Sequence, residues 1–154
     1  MTLLIVLNLH GAINSSGPVR EALEELKVAR RFSASVAPAD ASTLGALNLC
    51  KEHLAWAPLD VELLTVLLEK RGMVSATKAL DSGSLKKLGY KDHAELAARM
   101  VKEETRLSAV KGVRPFFRLS PPRGGFKRSM RWSSSEDGLL GSNPRLAELI
   151  KRMI

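Results

Sequence analysis

The residues best suited to chemistry lie in one stretch, residues 111–132, which reads KGVRPFFRLSPPRGGFKRSMRW and which we term the basic segment. It has no acidic residue, and it carries seven of the net eight positive charges of the chain. These cations are Lys111, Arg114, Arg118, Arg123, Lys127, Arg128 and Arg131. Each cation placed against a phosphate releases condensed counterions, and arginine also grips phosphate with two hydrogen bonds and stacks on bases. The basic segment therefore predicts a polyanionic partner, with nucleic acid ranked before an anionic membrane.

The spacing within the basic segment indicates a rigid stem followed by a pliable tip. In an extended stem over residues 114–119, alternate side chains point to opposite faces. One face then carries two arginines, and the other carries Phe117 and Leu119, which suit a core. The prolines of PPRGG hold the chain extended, and its glycines let backbone amides approach a partner closely. An ordinary solvated loop is the alternative interpretation. Trp132, at the end of the segment, is a candidate for stacking on a base.

Other chemistry-bearing residues give no catalytic pattern. The histidines His10, His53 and His93 lie far apart and have no metal-ligand spacing with each other or with Cys50. Cys50 falls on the apolar stripe of a predicted helix, which favours a buried, inert thiol. An enzyme acting on a phosphorylated small molecule at PPRGG would have no base or nucleophile beside it. We therefore expect no enzyme activity, no metal, no cofactor and no small-molecule substrate.

Composition indicates an intracellular globular protein. The chain has 154 residues, of which 45% are hydrophobic and 26% charged, and these values are typical of a domain with a core. Cys50 is the only cysteine, so an internal disulfide is excluded and a reducing compartment is expected. The apolar run at residues 3–9 is too short for a signal peptide or a membrane span. We expect a cytoplasmic protein without a membrane partner.

The elements that would position the basic segment begin with a small sheet. Strand patterns at residues 3–9, 32–36 and 54–58 alternate with helix patterns that follow Pro18 and Asp40. Such short connections predict an α+β fold, a β-α-β-α-β core with both helices on one face of a small antiparallel sheet. The run at residues 3–9 is apolar on both alternating faces, so its second face must also be covered.

A largely helical C-terminal extension can supply that cover. Helix signals lie at residues 60–71, 81–89 and 92–101, and a last helix follows an Asn143 cap with Pro144 in its first turn. Residues 133–141 are polar and predicted to be irregular. We therefore divide the chain into a core at residues 1–58 and an extension at residues 59–154, which presents the basic segment.

Several motifs together resemble a known family. They are HGAINSSG before a helix, ASTLGALNLCKEHLAW, LLEKRG, RPFFRLSPPRGG, DGLLG and a terminal helix ending in KRM. Their order and spacing across nearly the whole chain resemble the universal large-subunit ribosomal protein thirty family in its long archaeal and eukaryotic form. The lack of a long basic N-terminal tail favours the archaeal form.

The resemblance implies a ferredoxin-like core and a structural role in the ribonucleoprotein of the large ribosomal subunit, hence in translation. The implied partner is large-subunit ribosomal RNA, with 5S ribosomal RNA and neighbouring ribosomal proteins as further candidates. A free RNA-binding or RNA-chaperone protein on the same scaffold is the alternative, and it would bind short RNAs as well as subunit-sized RNA.

Contacts implied by the resemblance fall at the turn after the first strand, at the starts of the first two helices and along the basic segment. The candidate RNA-binding residues are Asn14, Ser15, Ser16, Arg20, Arg30, Arg31, Gly45, Arg114, Arg118, Arg123, Gly124, Gly125, Lys127, Arg128 and Arg131. The chain departs from the family pattern at His10 and Leu44, where arginine is common, and at Ser120, where histidine is usual. Two expected RNA contacts are therefore missing, which shifts weight onto Arg20, Arg30, Arg31 and the basic segment.

Overall fold

The apolar run at the start of the chain forms the central strand of a five-stranded sheet. A computed structural model describes residues 2–103 and 105–154. In it, β1 (Leu3–Asn8) lies between β2 (Ser33–Pro38) and β3 (Leu54–Pro58), and both neighbours are antiparallel to it. Every residue of β1 is buried, as expected for a strand that is apolar on both faces. The α+β class and the antiparallel core are confirmed.

Two short strands from the C-terminal half widen this sheet at its edges. One is β4 (Phe117–Arg118), which pairs antiparallel with β2, and the other is β5 (Gly141–Ser142), which pairs parallel with β3. The strand order is β4-β2-β1-β3-β5, so the whole sheet is mixed rather than purely antiparallel. The sequence predicted an extended stem around Phe117 but not the strand at Gly141, because two residues carry no readable periodicity.

The first two helices cover one face of the sheet, as predicted. They are α1 (Gly17–Glu25) and α2 (Ala41–Leu49), and they pack on Leu4 and Val6 of β1. Thr43 rather than Leu44 lies on the buried stripe of α2, whereas Leu44 is exposed. Trp56 packs against the edge of this cluster.

The C-terminal extension covers the other face, which confirms the need inferred from β1. Its helices are α3 (Val61–Arg71), α4 (Ser82–Lys87), α5 (His93–Glu103) and α6 (Leu146–Met153). Leu3, Ile5, Leu7 and Leu9 join residues of all four helices in one core cluster. Phe117 and Leu119 are buried in that cluster, as the alternation of the stem predicted. The division of the chain at residue 58 stays a prediction.

Two C-terminal details differ from the sequence interpretation. The last helix begins at Leu146, later than predicted, because Asn143 forms a turn in which its Oδ1 accepts the backbone N–H of Arg145 at 3.0 Å. Pro144 lies in this turn and not in the helix. Residues 133–141, predicted to be irregular, contain a 3-10 turn (Ser134–Glu136) and a bridge between Ser133 and Leu140.

Replacement of Phe117 tests whether the extension shares a core with the first strands. We expect Phe117→Ala to lower the free energy of unfolding by about 3–5 kcal/mol, because the ring is buried and leaves a cavity. The measurement is urea unfolding followed by circular dichroism, and we expect one transition in the parent and in the variant. Phe116→Ala, at a half-buried neighbour, is the matched control and should cost less. A stable proteolytic fragment ending near Pro58 would contradict the shared core.

Candidate nucleic-acid interface

The basic segment crosses one end of the sheet from edge to edge. At one edge of the sheet, β4 of the basic segment pairs with β2, and Arg118 lies opposite Ser33. After the segment, the chain reaches the other edge, where Gly141 of β5 lies opposite Ala55 of β3. Between these edges, Nε2 of His10, just after β1, donates to the carbonyl of Met130 at 2.6 Å. The segment is therefore tied to the sheet at its start and near its end.

An aromatic stack fixes the tip of the basic segment to the loop before β2. The rings of Phe126 and Phe32 are stacked with their centroids 6.0 Å apart. The guanidinium of Arg31 lies over the Phe32 ring, 4.7 Å from its centroid. The backbone N–H of Leu119 also donates to the carbonyl of Phe32 at 2.9 Å. Arg31 is thereby held beside the basic segment, although 80 or more residues separate them in sequence.

The end of α6 receives the PPRGG tip. The last carbonyls of a helix have no intrahelical donor, and here backbone N–H groups of the segment supply one. Ser120 donates to Met153 and Arg123 donates to Arg152, each at 3.0 Å. In return, Nη1 of Arg152 donates to the carbonyl of Gly125 at 3.1 Å. These contacts dock the tip on the protein body.

A cleft of about 700 Å³, which we term the first-turn cleft, opens beside the end of β1. Residues 10–14 form one wall, residues 29–31 form the other, and Arg20 of α1 also lines it. The cleft thus brings together four of the predicted RNA-binding residues, namely Asn14, Arg20, Arg30 and Arg31. Its lining contains no acidic residue among those that the structure describes.

The buried side chain of Asn8 holds the two walls of this cleft in place. Its Nδ2 donates to the carbonyl of Val28 at 2.6 Å, and its Oδ1 accepts the backbone N–H groups of His10 at 3.0 Å and Gly11 at 2.7 Å. Gly11 has φ +81°, a conformation that glycine adopts without strain. One amide therefore fixes the turn after β1 and the loop before β2 together.

A second cationic cleft lies beside β4. Arg114 and Arg118 of the basic segment line it with Lys70 and Arg71 from the end of α3, around a volume of about 280 Å³. The Arg114 guanidinium lies over the Phe116 ring, 4.9 Å from its centroid. Arginine stacked on an aromatic ring keeps its hydrogen-bonding fork in a defined plane.

A third cleft, of about 310 Å³, joins the other two. It shares Arg30 with the first-turn cleft and Phe116 with the cleft beside β4, and Lys27 adds another cation. Glu24 is the only acid among the described residues that line the three. The three clefts together form one surface, which we term the cationic stripe. Its cations are Arg20, Lys27, Arg30, Arg31, Lys70, Arg71, Arg114 and Arg118. The sequence interpretation missed Lys27, Lys70 and Arg71.

Other predicted residues of the basic segment lie outside this stripe. Arg123, Gly124 and Gly125 form an exposed tip, where both glycines have positive φ and open space around them. Lys127 and Arg128 line a separate cleft with Arg145 and Arg152, two cations that the sequence interpretation missed. The guanidinium of Arg128 is paired with the carboxylate of Asp137, so this arginine is already engaged within the protein.

The remaining predicted residues are dispersed. Arg131 lies near the far edge of the sheet, where it lines a cleft of about 370 Å³ with Lys51. Gly45 is exposed on the outer side of α2. Ser16 is exposed just before α1, and the Ser15 hydroxyl donates to the carbonyl of Ala12 at 2.6 Å, so it serves the turn.

The described residues offer little to catalysis. Cys50 is buried, and burial raises the pKa of its thiol, which disfavours the reactive thiolate. Within the described ranges, no three His, Cys, Asp or Glu side chains cluster in a way that could hold a metal ion. No helix among these residues is both long enough and apolar enough to cross a bilayer.

Comparison with known proteins identifies a family for the chain. The chain is 36% identical to the large ribosomal subunit protein uL30 of Nitrosopumilus maritimus over 151 residues, which cover 98% of this chain and 97% of that protein. It is 35% identical to the uL30 protein of Ignicoccus hospitalis, with 99% and 98% covered, and 30% identical to that of Nanoarchaeum equitans, with both chains covered completely. The chain belongs to the uL30 family of large ribosomal subunit proteins. These uL30 relatives are archaeal, as the motifs indicated. No protein-family model matches the chain.

Three residues of this uL30 chain depart from the expected pattern, and two of them have structural roles. His10 binds the carbonyl of Met130, so it holds the basic segment against the sheet. Ser120 accepts a hydrogen bond from Nη2 of Arg71 at 2.8 Å. Leu44 is an exposed apolar residue on α2, and nothing in the structure explains why it replaces an arginine.

Removal of the Asn8 amide tests how the first-turn cleft is built. We expect Asn8→Ala to lower the free energy of unfolding by about 3 kcal/mol, since three hydrogen bonds of a buried side chain are lost. Urea unfolding measures the change, and amide hydrogen exchange at His10 and Gly11 should accelerate. Asn48→Ala, at an exposed asparagine of α2, is the control and should leave stability nearly unchanged. Equal effects of the two variants would contradict the structural role of Asn8.

Proposed function

We propose that this chain is a structural constituent of the large ribosomal subunit, located with it in the cytoplasm, and that it binds large-subunit ribosomal RNA through the cationic stripe and the PPRGG tip. Membership of the uL30 family supports the assignment to the subunit. The continuity of the stripe carries the proposal for RNA, because eight cations line three joined clefts with one acid among the described residues there.

The arrangement suits recognition of folded RNA by shape. Lysine and arginine side chains meet phosphates, which fix position but carry no sequence information. Gly124 and Gly125 at the exposed tip let the backbone approach a sugar-phosphate chain closely, since no side chain stands in the way. Double-stranded RNA is recognised chiefly by such contacts to phosphates and 2′-hydroxyl groups. Neither enzyme activity nor a small-molecule substrate is part of this proposal.

The alternative is a free RNA-binding or RNA-chaperone protein, and two measurements separate it from the ribosomal role. A ribosomal constituent should sediment with the large subunit from a cell lysate and should bind large-subunit ribosomal RNA better than unstructured RNA of equal length. A free chaperone should stay in the soluble fraction and bind both RNAs alike. A separate binding measurement with 5S ribosomal RNA tests whether that RNA is a second partner.

Salt dependence of binding tests the cationic stripe. If its eight cations meet phosphates, the logarithm of the binding constant for ribosomal RNA should fall with the logarithm of salt concentration by a slope of roughly −6 to −7. We expect the double variant Arg30→Ala/Arg118→Ala to make this slope less negative by roughly 1.4 to 1.8. Its affinity near physiological salt should fall by about tenfold or more, because two charge-assisted contacts are lost. Filter binding across a salt series gives both values.

The matched control is Lys86→Ala/Lys102→Ala, which removes the same net charge from exposed positions on α4 and α5, outside the stripe. This control should bind RNA with nearly the parent slope. If both double variants lose the same affinity and the same slope, total charge and not the stripe determines binding. In that case the proposed interface would be wrong.

A further inference from the structure

We infer that the first-turn cleft holds a single unpaired nucleotide of the RNA, with its base against Ile13 and its phosphates against Arg20, Arg30 and Arg31. This inference rests on the proposed function, because it specifies the RNA feature that one part of the stripe would bind. A cleft of about 700 Å³ falls within the range that protein sites use for small organic groups.

The exposure of Ile13 is the first observation behind this inference. Ile13 lies at the tip of the turn after β1, and 83% of its surface is accessible, the largest value among the exposed large hydrophobic residues described. An isolated exposed apolar residue needs no explanation in general. This one, however, lines a cleft together with three arginines, so an apolar surface and an anion-binding surface face the same space.

The second observation is that the cleft is already formed. The side chain of Asn8 accepts hydrogen bonds from the N–H groups of His10 and Gly11 in the turn, and it donates one to the carbonyl of Val28 in the loop before β2. On the opposite wall, Nε of Arg31 donates to the carbonyl of Leu9 at 3.1 Å. A site that is held in place by such hydrogen bonds loses little conformational freedom on binding, and this favours affinity.

The combination of groups matches a nucleotide that has left its helix. An unstacked base needs an apolar surface, which Ile13 and its neighbours Ala12 and Ala29 provide, and hydrogen-bonding groups at its edge, which the exposed amide of Asn14 provides. The flanking phosphates need cations, and the cleft lining has three arginines and no acid among its described residues. A fully paired duplex would meet the arginines but would leave Ile13 without an apolar partner.

A pair of short RNA duplexes tests the inference directly. They share one sequence, but one carries a single unpaired 2-aminopurine, whose fluorescence rises when it leaves the base stack. We expect the parent protein to raise this fluorescence and to bind the bulged duplex about tenfold more tightly than the paired one, a ratio that burial of roughly 55 Å² of apolar surface against Ile13 would supply. Ile13→Ala should remove this preference while leaving affinity for the paired duplex unchanged, and Ile13→Leu should retain it.

Controls separate this inference from the proposed function. Leu49→Ala removes an exposed apolar side chain of the same size as Ile13, but on α2 and outside the cleft, so it should keep the preference for the bulge. Arg20→Ala should weaken binding to both duplexes, since it removes a phosphate contact. If Ile13→Ala and the parent bind both duplexes alike while Arg20→Ala weakens binding, RNA binding stands and the nucleotide site is overturned. If the parent binds neither of these duplexes nor ribosomal RNA, the proposed function and the nucleotide site both fail.

Discussion

The structure depends on one constraint, that β1 must be covered on both faces. Its alternating leucines, isoleucine and valine are buried on either side, and each face lies in a different core cluster. The first two helices can cover only one of them. The C-terminal extension therefore has to pack on the other, and the chain between α5 and α6 has to pass the end of the sheet to complete this cover. That path places the basic segment beside the turn after β1.

The same path assembles charges that are unfavourable together in the free protein. Like charges held close repel each other and destabilise the compact state, so the stripe must be stabilised by contacts behind it. The stacks of Arg31 on Phe32 and of Arg114 on Phe116 supply part of this stabilisation, and burial of Phe117 anchors the strand between them. A phosphate backbone laid along the stripe would relieve the repulsion that remains.

The sequence was most informative where periodicity was long. It predicted β1, the cover on both faces of β1 and the buried side of the 114–119 stem, since each depends on several alternating residues. It could not predict β5, which has only two residues. It also could not predict that Lys70 and Arg114 line one cleft, since this depends on how α3 packs against the basic segment. Asn8 gave no signal because an asparagine inside an apolar run resembles an interruption until its three hydrogen bonds are seen.

The replacement of an expected arginine by His10 can be understood from these contacts. An arginine at this position would be expected to meet RNA directly, whereas His10 directs Nε2 at the carbonyl of Met130 and contacts the ring of His53 edge-on. The position thus contributes to holding the basic segment in place. Arg30 and Arg31 on the opposite wall of the first-turn cleft remain available as cations. One side of the cleft therefore holds the basic segment in place, and the other side supplies the positive charge of the candidate interface.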